Sequence, residues 1–257
     1  MSNNDEEVLF LETTIQADSI FGERVCAERI RRNLKGKRVC SSIFVLNEFK
    51  KTFLNAVILY YNLLVDSPDT HTALRRADKY QNRLHKRITK VYVKICDEVG
   101  HDKAAVLEWL ESWIEDDLMM EFHANIEGEV VNKTACCRVD AEPVRQGNKY
   151  ELKIACAKDN PPSCAIEIFW KKHKKELHAL ASATSLSKDK ELSEIPRVAA
   201  VIKDGKDMPY GNNCHVVLSD AVIAIEAPEG GQIYTTNRKH FEPICDVIEN
   251  RKVYTEV

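Results

Sequence analysis

The chain has 257 residues, 44% of them hydrophobic and 30% charged, with a net charge of -3; that balance fits a globular protein with a sizeable core and excludes a disordered or fibrous one. No apolar stretch reaches the roughly 18 residues a membrane span needs, so no membrane partner is expected. The start, Met1 to Glu7, is acidic and polar, unlike a secretory signal, so the nine cysteines read as reduced thiols of a cytoplasmic protein.

Residues 8–14 predict a short buried strand, apolar without alternation, as in a parallel sheet. Its run Val8-Leu9-Phe10-Leu11 ends on Glu12. Residues 17–34 predict a helix, which Gly36 and Lys37 break. Ser41-Ser42 can cap a long apolar helix from Ile43 to about Leu64, which carries Glu48 and stops before Pro68. Residues 72–96 predict an amphipathic helix with Leu74, Leu84, Ile88, Val91 and Ile95 on its apolar face. Arg76, Lys79, Arg83, Lys86, Arg87, Lys90 and Lys94 lie opposite, within an arc of roughly 100°. Such a stripe is either a solvated face or a track for a phosphate backbone.

Residues 103–123 predict an acidic helix, a surface for a basic face of this chain or of a protein partner. Residues 128–165 shift to Gly, Pro, Val and Thr. Val130-Val131 and Tyr150 to Ile154 there predict an inserted β-hairpin around Gly147-Asn148. A helix over 165–181 carries Lys171, Lys172, Lys174 and Lys175, a solvated face or a second part of the basic track. A helical piece around 191–202 follows. Asn212 or Asn213 can cap the next helix, which holds Asp220. A strand at Ile233-Tyr234-Thr235, a helix near 239–249 and a strand over 252–256 complete the reading.

Asp220 is embedded among Val216-Val217-Leu218 and Ala221-Val222-Ile223-Ala224-Ile225. A carboxylate in such surroundings costs several kcal/mol unless a metal or a hydrogen-bonding partner compensates it. Glu12 and Glu48 sit in similar settings, and three such acids suggest a shared divalent cation, Mg²⁺ or Mn²⁺. The order strand-Glu, helix-Glu, helix-Asp, then Thr235-Thr236-Asn237-Arg238-Lys239-His240-Phe241, resembles a PIN-domain nuclease over residues 8–66 and 212–257.

The resemblance implies an α/β fold with a PIN-like parallel sheet sandwiched by helices. Residues 1–66 and 212–257 would form its core, and 67–211 a helical and β-hairpin insertion. Glu12 takes a position usually held by Asp, while Glu48 and Asp220 match the helix acids. Asn237 falls where a fourth acid often stands, Thr235 is the hydroxyl residue before it, and Thr14 is the small polar residue after the first acid. The implied activity is metal-dependent endonucleolytic cleavage with RNA as the expected substrate. Glu12, Glu48 and Asp220 would hold the metal, and Asn237 and Thr235 would position the attacking water. Glu12 is one methylene longer than Asp, and Asn237 brings no charge. These departures leave open a weak or inactive PIN-like module that binds RNA or protein, or an effector gated by an inhibitory partner. Cys137, Cys156 and Cys164, with His173 or His178, are either ligands of a structural zinc or buried thiols. Cys26, Cys40, Cys96, Cys214 and Cys245 read as small core residues, and His240 as a polar residue at a helix start.

Overall fold

The computed structural model describes residues 7–254 except 81, 137, 139, 155, 157–163, 204–210 and 212. Strand β1 (Val8–Leu11) leads into helices α1 (Thr13–Phe21) and α2 (Arg24–Leu34), then β2 (Arg38–Ser42). The helix expected over 17–34 is therefore two. The chain turns at Gly22, where a Cβ would lie 2.2 Å from the Asp18 carbonyl oxygen. The long helix after Ser42 is α3 (Ile43–Phe49), a π-helical turn (Lys50–Leu54) and α4 (Asn55–Val65). Ser42 Oγ accepts from the Val45 N–H at 3.2 Å, which satisfies a first-turn donor as the sequence predicts.

The basic amphipathic stretch is broken into α5 (Thr70–Arg76), a 3-10 turn (Ala77–Lys79) and α6 (Asn82–Val99). The acidic stretch is α7 (Lys103–Ser112), a π-helical turn (Trp113–Asp117) and α8 (Leu118–Ala124). Then come β3 (Val130–Val131), the hairpin β4 (Pro143–Gln146) and β5 (Lys149–Leu152), and helices α9 (Ile166–Lys172), α10 (Lys174–Thr184) and α11 (Ile195–Lys203). A π-helical turn (Asn213–Val217) precedes α12 (Ser219–Glu226), followed by β6 (Gln232–Tyr234), α13 (Arg238–Cys245) and β7 (Lys252–Val253).

Five strands form one parallel sheet in the order β3-β2-β1-β6-β7. The fold is thus α/β, a parallel sheet flanked by helices. Val130-Val131, expected in the inserted hairpin, instead pairs with Ser41-Ser42 as an edge of this sheet. The hairpin itself is β4–β5 around Gly147 and Asn148.

Strand pleating divides the interior. Leu9, Leu11, Val39 and Tyr234 pack with Ile30 and Leu34 of α2 on one face. Phe10, Cys40 and Ile233 point to the other face, into a larger core. That core also takes Ile88, Val91, Trp113, Tyr150 and Trp170, so the segment 67–211 shares the interior of the sheet's flanking helices. Among the described residues no helix is long and apolar enough to cross a membrane.

Candidate active site

From β1 the chain builds β2 and β3 to one side, then returns to place β6 on the other. Strand order therefore reverses between β1 and β6, and such a switch point opens a crevice beyond the carboxyl ends of the strands. Glu12 follows β1 and Thr235 follows β6, locked in register by Glu12 N–H bonding to the Tyr234 carbonyl at 3.1 Å. Glu48 comes from the helix after β2, and Asp220 from the first turn of α12. All three acids line one cleft of about 790 Å³.

Each acid is held by a single oxygen. Glu12 Oε2 accepts from Thr14 N at 3.0 Å, Thr14 Oγ1 at 2.5 Å and Thr235 Oγ1 at 2.9 Å. Glu12 is thus also the N-cap of α1, a favourable place for a carboxylate. Glu48 Oε2 accepts from Thr13 Oγ1 at 2.7 Å. Asp220 Oδ2 meets His240 Nδ1 at 2.8 Å and Asn237 Nδ2 at 3.4 Å. The second oxygens, Glu12 Oε1, Glu48 Oε1 and Asp220 Oδ1, make no hydrogen bond among the described residues, and none is a sealed, unsatisfied atom.

Burial first, then the Glu48 charge, pushes the Glu12 carboxyl up to about 8, against the Thr14 hydrogen bonds. Burial and the Asp220 charge push Glu48 up to about 7, with Thr13, Arg87 and Lys51 opposing. Three oxygen donors that repel one another, each with one oxygen left without a hydrogen bond among the described residues, suit a hard divalent cation. Among the described residues, no three His, Cys, Asp or Glu side chains stand close enough to close a metal cage. The acids share a cleft and a field, not yet a coordination shell.

His240, a polar residue at a helix start in the sequence, lies in the first turn of α13 and also meets Asp220. It is buried, with Nε2 3.2 Å from Asp189 Oδ2 and Nδ1 on Asp220. The hydrogen bond to Asp220 holds its pKa above the usual imidazole value, against burial. Burial works to raise the Asp189 carboxyl, but the backbone N–H groups of Glu191 and Leu192, with His240, bring it down to about 2. His240 and Asn237 are thus partners that compensate Asp220 without a metal. Thr235 Oγ1 accepts from Asn237 N–H at 2.9 Å, so one hydroxyl ties Glu12 to the residue that holds Asp220.

The basic stripe divides. Arg83, Lys86, Arg87 and Lys90 of α6 form the wall beside Glu12 and Glu48, and Lys79 joins Arg83 and Arg87 at the Asp220 side. Arg76 turns away to the Asp66 carbonyl at 2.6 Å, and Lys94 pairs with Glu98 at 2.7 Å. Glu111 of the acidic stretch pairs with Arg145, so it engages the hairpin and not the basic wall. Lys171 pairs with Glu167 at 2.5 Å, and Lys171, Lys172, Lys174 and Lys175 do not line the cleft. Of the expected zinc ligands, Cys137 lies outside the described residues, and His173 pairs with Glu176 at 3.2 Å.

No protein-family model, curated protein or solved structure matches the chain.

Proposed function

We propose that the chain is a PIN-like, divalent-metal-dependent endonuclease that acts on single-stranded nucleic acid, with RNA as the expected substrate. One observation carries this reading: three carboxylates, each fixed by one oxygen, line one cleft at the switch point of a parallel sheet beside a wall of Arg and Lys. Glu12, Glu48 and Asp220 would hold Mg²⁺ or Mn²⁺, which supplies charge neutralisation at the phosphoryl group and lowers the pKa of water. Thr13, Thr14 and Thr235 orient the glutamates, and Asn237 and His240 orient Asp220. Arg83, Lys86, Arg87 and Lys90 neutralise the nucleic-acid backbone. The parallel sheet and its acids support a PIN-like core, to which the segment 67–211 contributes the edge strand β3 and core side chains.

The test is cleavage of end-labelled single-stranded RNA and DNA with Mn²⁺. Asp220→Asn and Glu48→Gln are expected to lose cleavage while keeping RNA binding. Cleavage that survives in both variants would refute the assignment. A second reading, a PIN-like module that binds RNA or a protein partner without cutting, rests on a specific contact. Glu191 bridges to Arg83 at 3.3 Å at the cleft, beside an Asp220 already satisfied by His240. RNA binding in the wild type without cleavage under any divalent metal would favour it.

A further inference from the structure

A second set of donors meets at the turn that leads into the Asp220 helix. Cys214 is buried in the π-helical turn that leads into α12. Its neighbour His215 stacks on Phe44, ring centres 5.0 Å apart and planes within 7°, and brings Nε2 to 3.8 Å from Cys136 Sγ. The segment carrying Cys136 is fastened to the far end of α12. Lys133 Nζ donates to the carbonyls of Ile225 at 3.0 Å and Glu226 at 3.1 Å, and Thr134 Oγ1 to Glu226 Oε1 at 3.3 Å. The Thr134 carbonyl accepts from Ala165 N–H at 2.9 Å, which sets Cys164 beside the same segment. Cys156 joins from the chain after β5. The sulfurs of Cys136, Cys164 and Cys156 all lie within electrostatic reach of Cys214.

An independent observation points to an anion at this place. Arg138 is 8% exposed, and its Nε donates to no acceptor among the described residues. Its charge acts on both Cys214 and His215. A buried guanidinium with an unused donor is costly unless an anionic acceptor stands near it. Neutral thiols are poor acceptors, whereas metal-bound thiolates are anionic and are commonly hydrogen-bonded by their surroundings.

We propose that Cys136, Cys156, Cys164 and Cys214 bind one zinc ion as a tetrahedral four-thiolate site, with Arg138 donating to its sulfurs and His215 packed outside the ligand set. Four thiolates on Zn²⁺ carry a net charge of about -2, which Arg138 partly offsets. Zinc–sulfur bonds of about 2.3 Å would draw the thiols closer than their present spacing, in which no three donors form a cage among the described residues. The ion would pin the middle of the segment 67–211 to the turn that leads into the helix carrying Asp220.

Wild-type protein grown in zinc-replete medium and purified without chelator is expected to hold about one zinc per chain by elemental analysis. Cobalt exchanged into it should give thiolate-to-metal charge-transfer and tetrahedral visible bands, which the all-oxygen cleft cannot produce. Chelation should make the four cysteines reactive to an alkylating reagent, mapped by mass spectrometry. These wild-type readouts do not depend on a variant folding. Cys214→Ser and Cys156→Ser should each lose zinc, while Cys245→Ser and His215→Ala keep it. Wild type with under about a tenth of an equivalent of zinc and no cobalt charge-transfer band would overturn the proposal. Retention of zinc by Cys156→Ser with its loss from His215→Ala would overturn the four-thiolate set.

Discussion

Glu12→Gln isolates the electrostatic cost stored at the cleft. Glutamine keeps an oxygen to accept from Thr14 and Thr235, so the substitution removes the charge and little else. Glu12 is 3% exposed, and its carboxyl is raised from 4.5 to about 8, by burial first and the Glu48 charge second. At about 1.36 kcal/mol per pKa unit, ionising it in the folded protein costs up to about 5 kcal/mol. Relaxation and water entry bring the expected value to about 2–4 kcal/mol. The native state binds this proton more tightly than the unfolded chain does. Its stabilising effect is complete below pH 4.5 and is lost as pH rises through about 8.

Urea and thermal unfolding in EDTA at pH 5 and pH 8.5 measure the difference. The two proteins should be nearly equal at pH 5, and the variant more stable at pH 8.5, with a melting temperature higher by about 5–10 °C. Added Mn²⁺ should close most of that gap at high pH. A cation at a hundred times its Kd stabilises the wild type by about 2.7 kcal/mol through mass action, and the variant lacks one of the three charges that bind it. Parallel pH dependence in the two proteins would refute the reasoning, because it would mean that Glu12 pays no ionisation penalty in the fold.

The triple variant Arg83→Gln, Lys86→Gln, Lys90→Gln leaves Arg87 over the Phe53 ring, where its guanidinium lies 5.8 Å from the ring centre. It should unfold within about 1 kcal/mol of the wild type, bind single-stranded RNA more weakly, and show a log–log salt slope shallower by about 2; unchanged binding across a salt titration would make this wall a solvated face. His240→Gln should destabilise by about 1–3 kcal/mol at pH 6. The Asp220 hydrogen bond raises the His240 pKa above 6.5, so its contribution is complete below that pH and fades as pH rises through the folded value. An equal loss at pH 6 and pH 9, measured by urea unfolding, would show that packing alone is at stake.

The sequence by itself determined the local frame. The apolar run Val8 to Leu11 became β1, Ser42 capped the long helix, and the acids flanking apolar runs at Glu12, Glu48 and Asp220 all reached the cleft. These features are legible because strand burial, capping and a carboxylate's aversion to apolar surroundings act over a few residues. Tertiary structure decided which groups face one another. Strand order put β6 beside β1, and only that placement joined Thr235 to Glu12, 223 residues apart in sequence. The same packing set His240 on Asp220, which gave the embedded acid a partner within the chain. Helical periodicity grouped Arg76 and Lys94 with the other basic residues, but Arg76 turned to the Asp66 carbonyl and Lys94 paired with Glu98, which separated them. Periodicity records which face of an element is buried; the direction of each helix and its partner come from how the elements pack on the sheet. For that reason the two-residue strand Val130–Val131 and the approach of His215 to Cys136 were fixed only when the chain closed on itself.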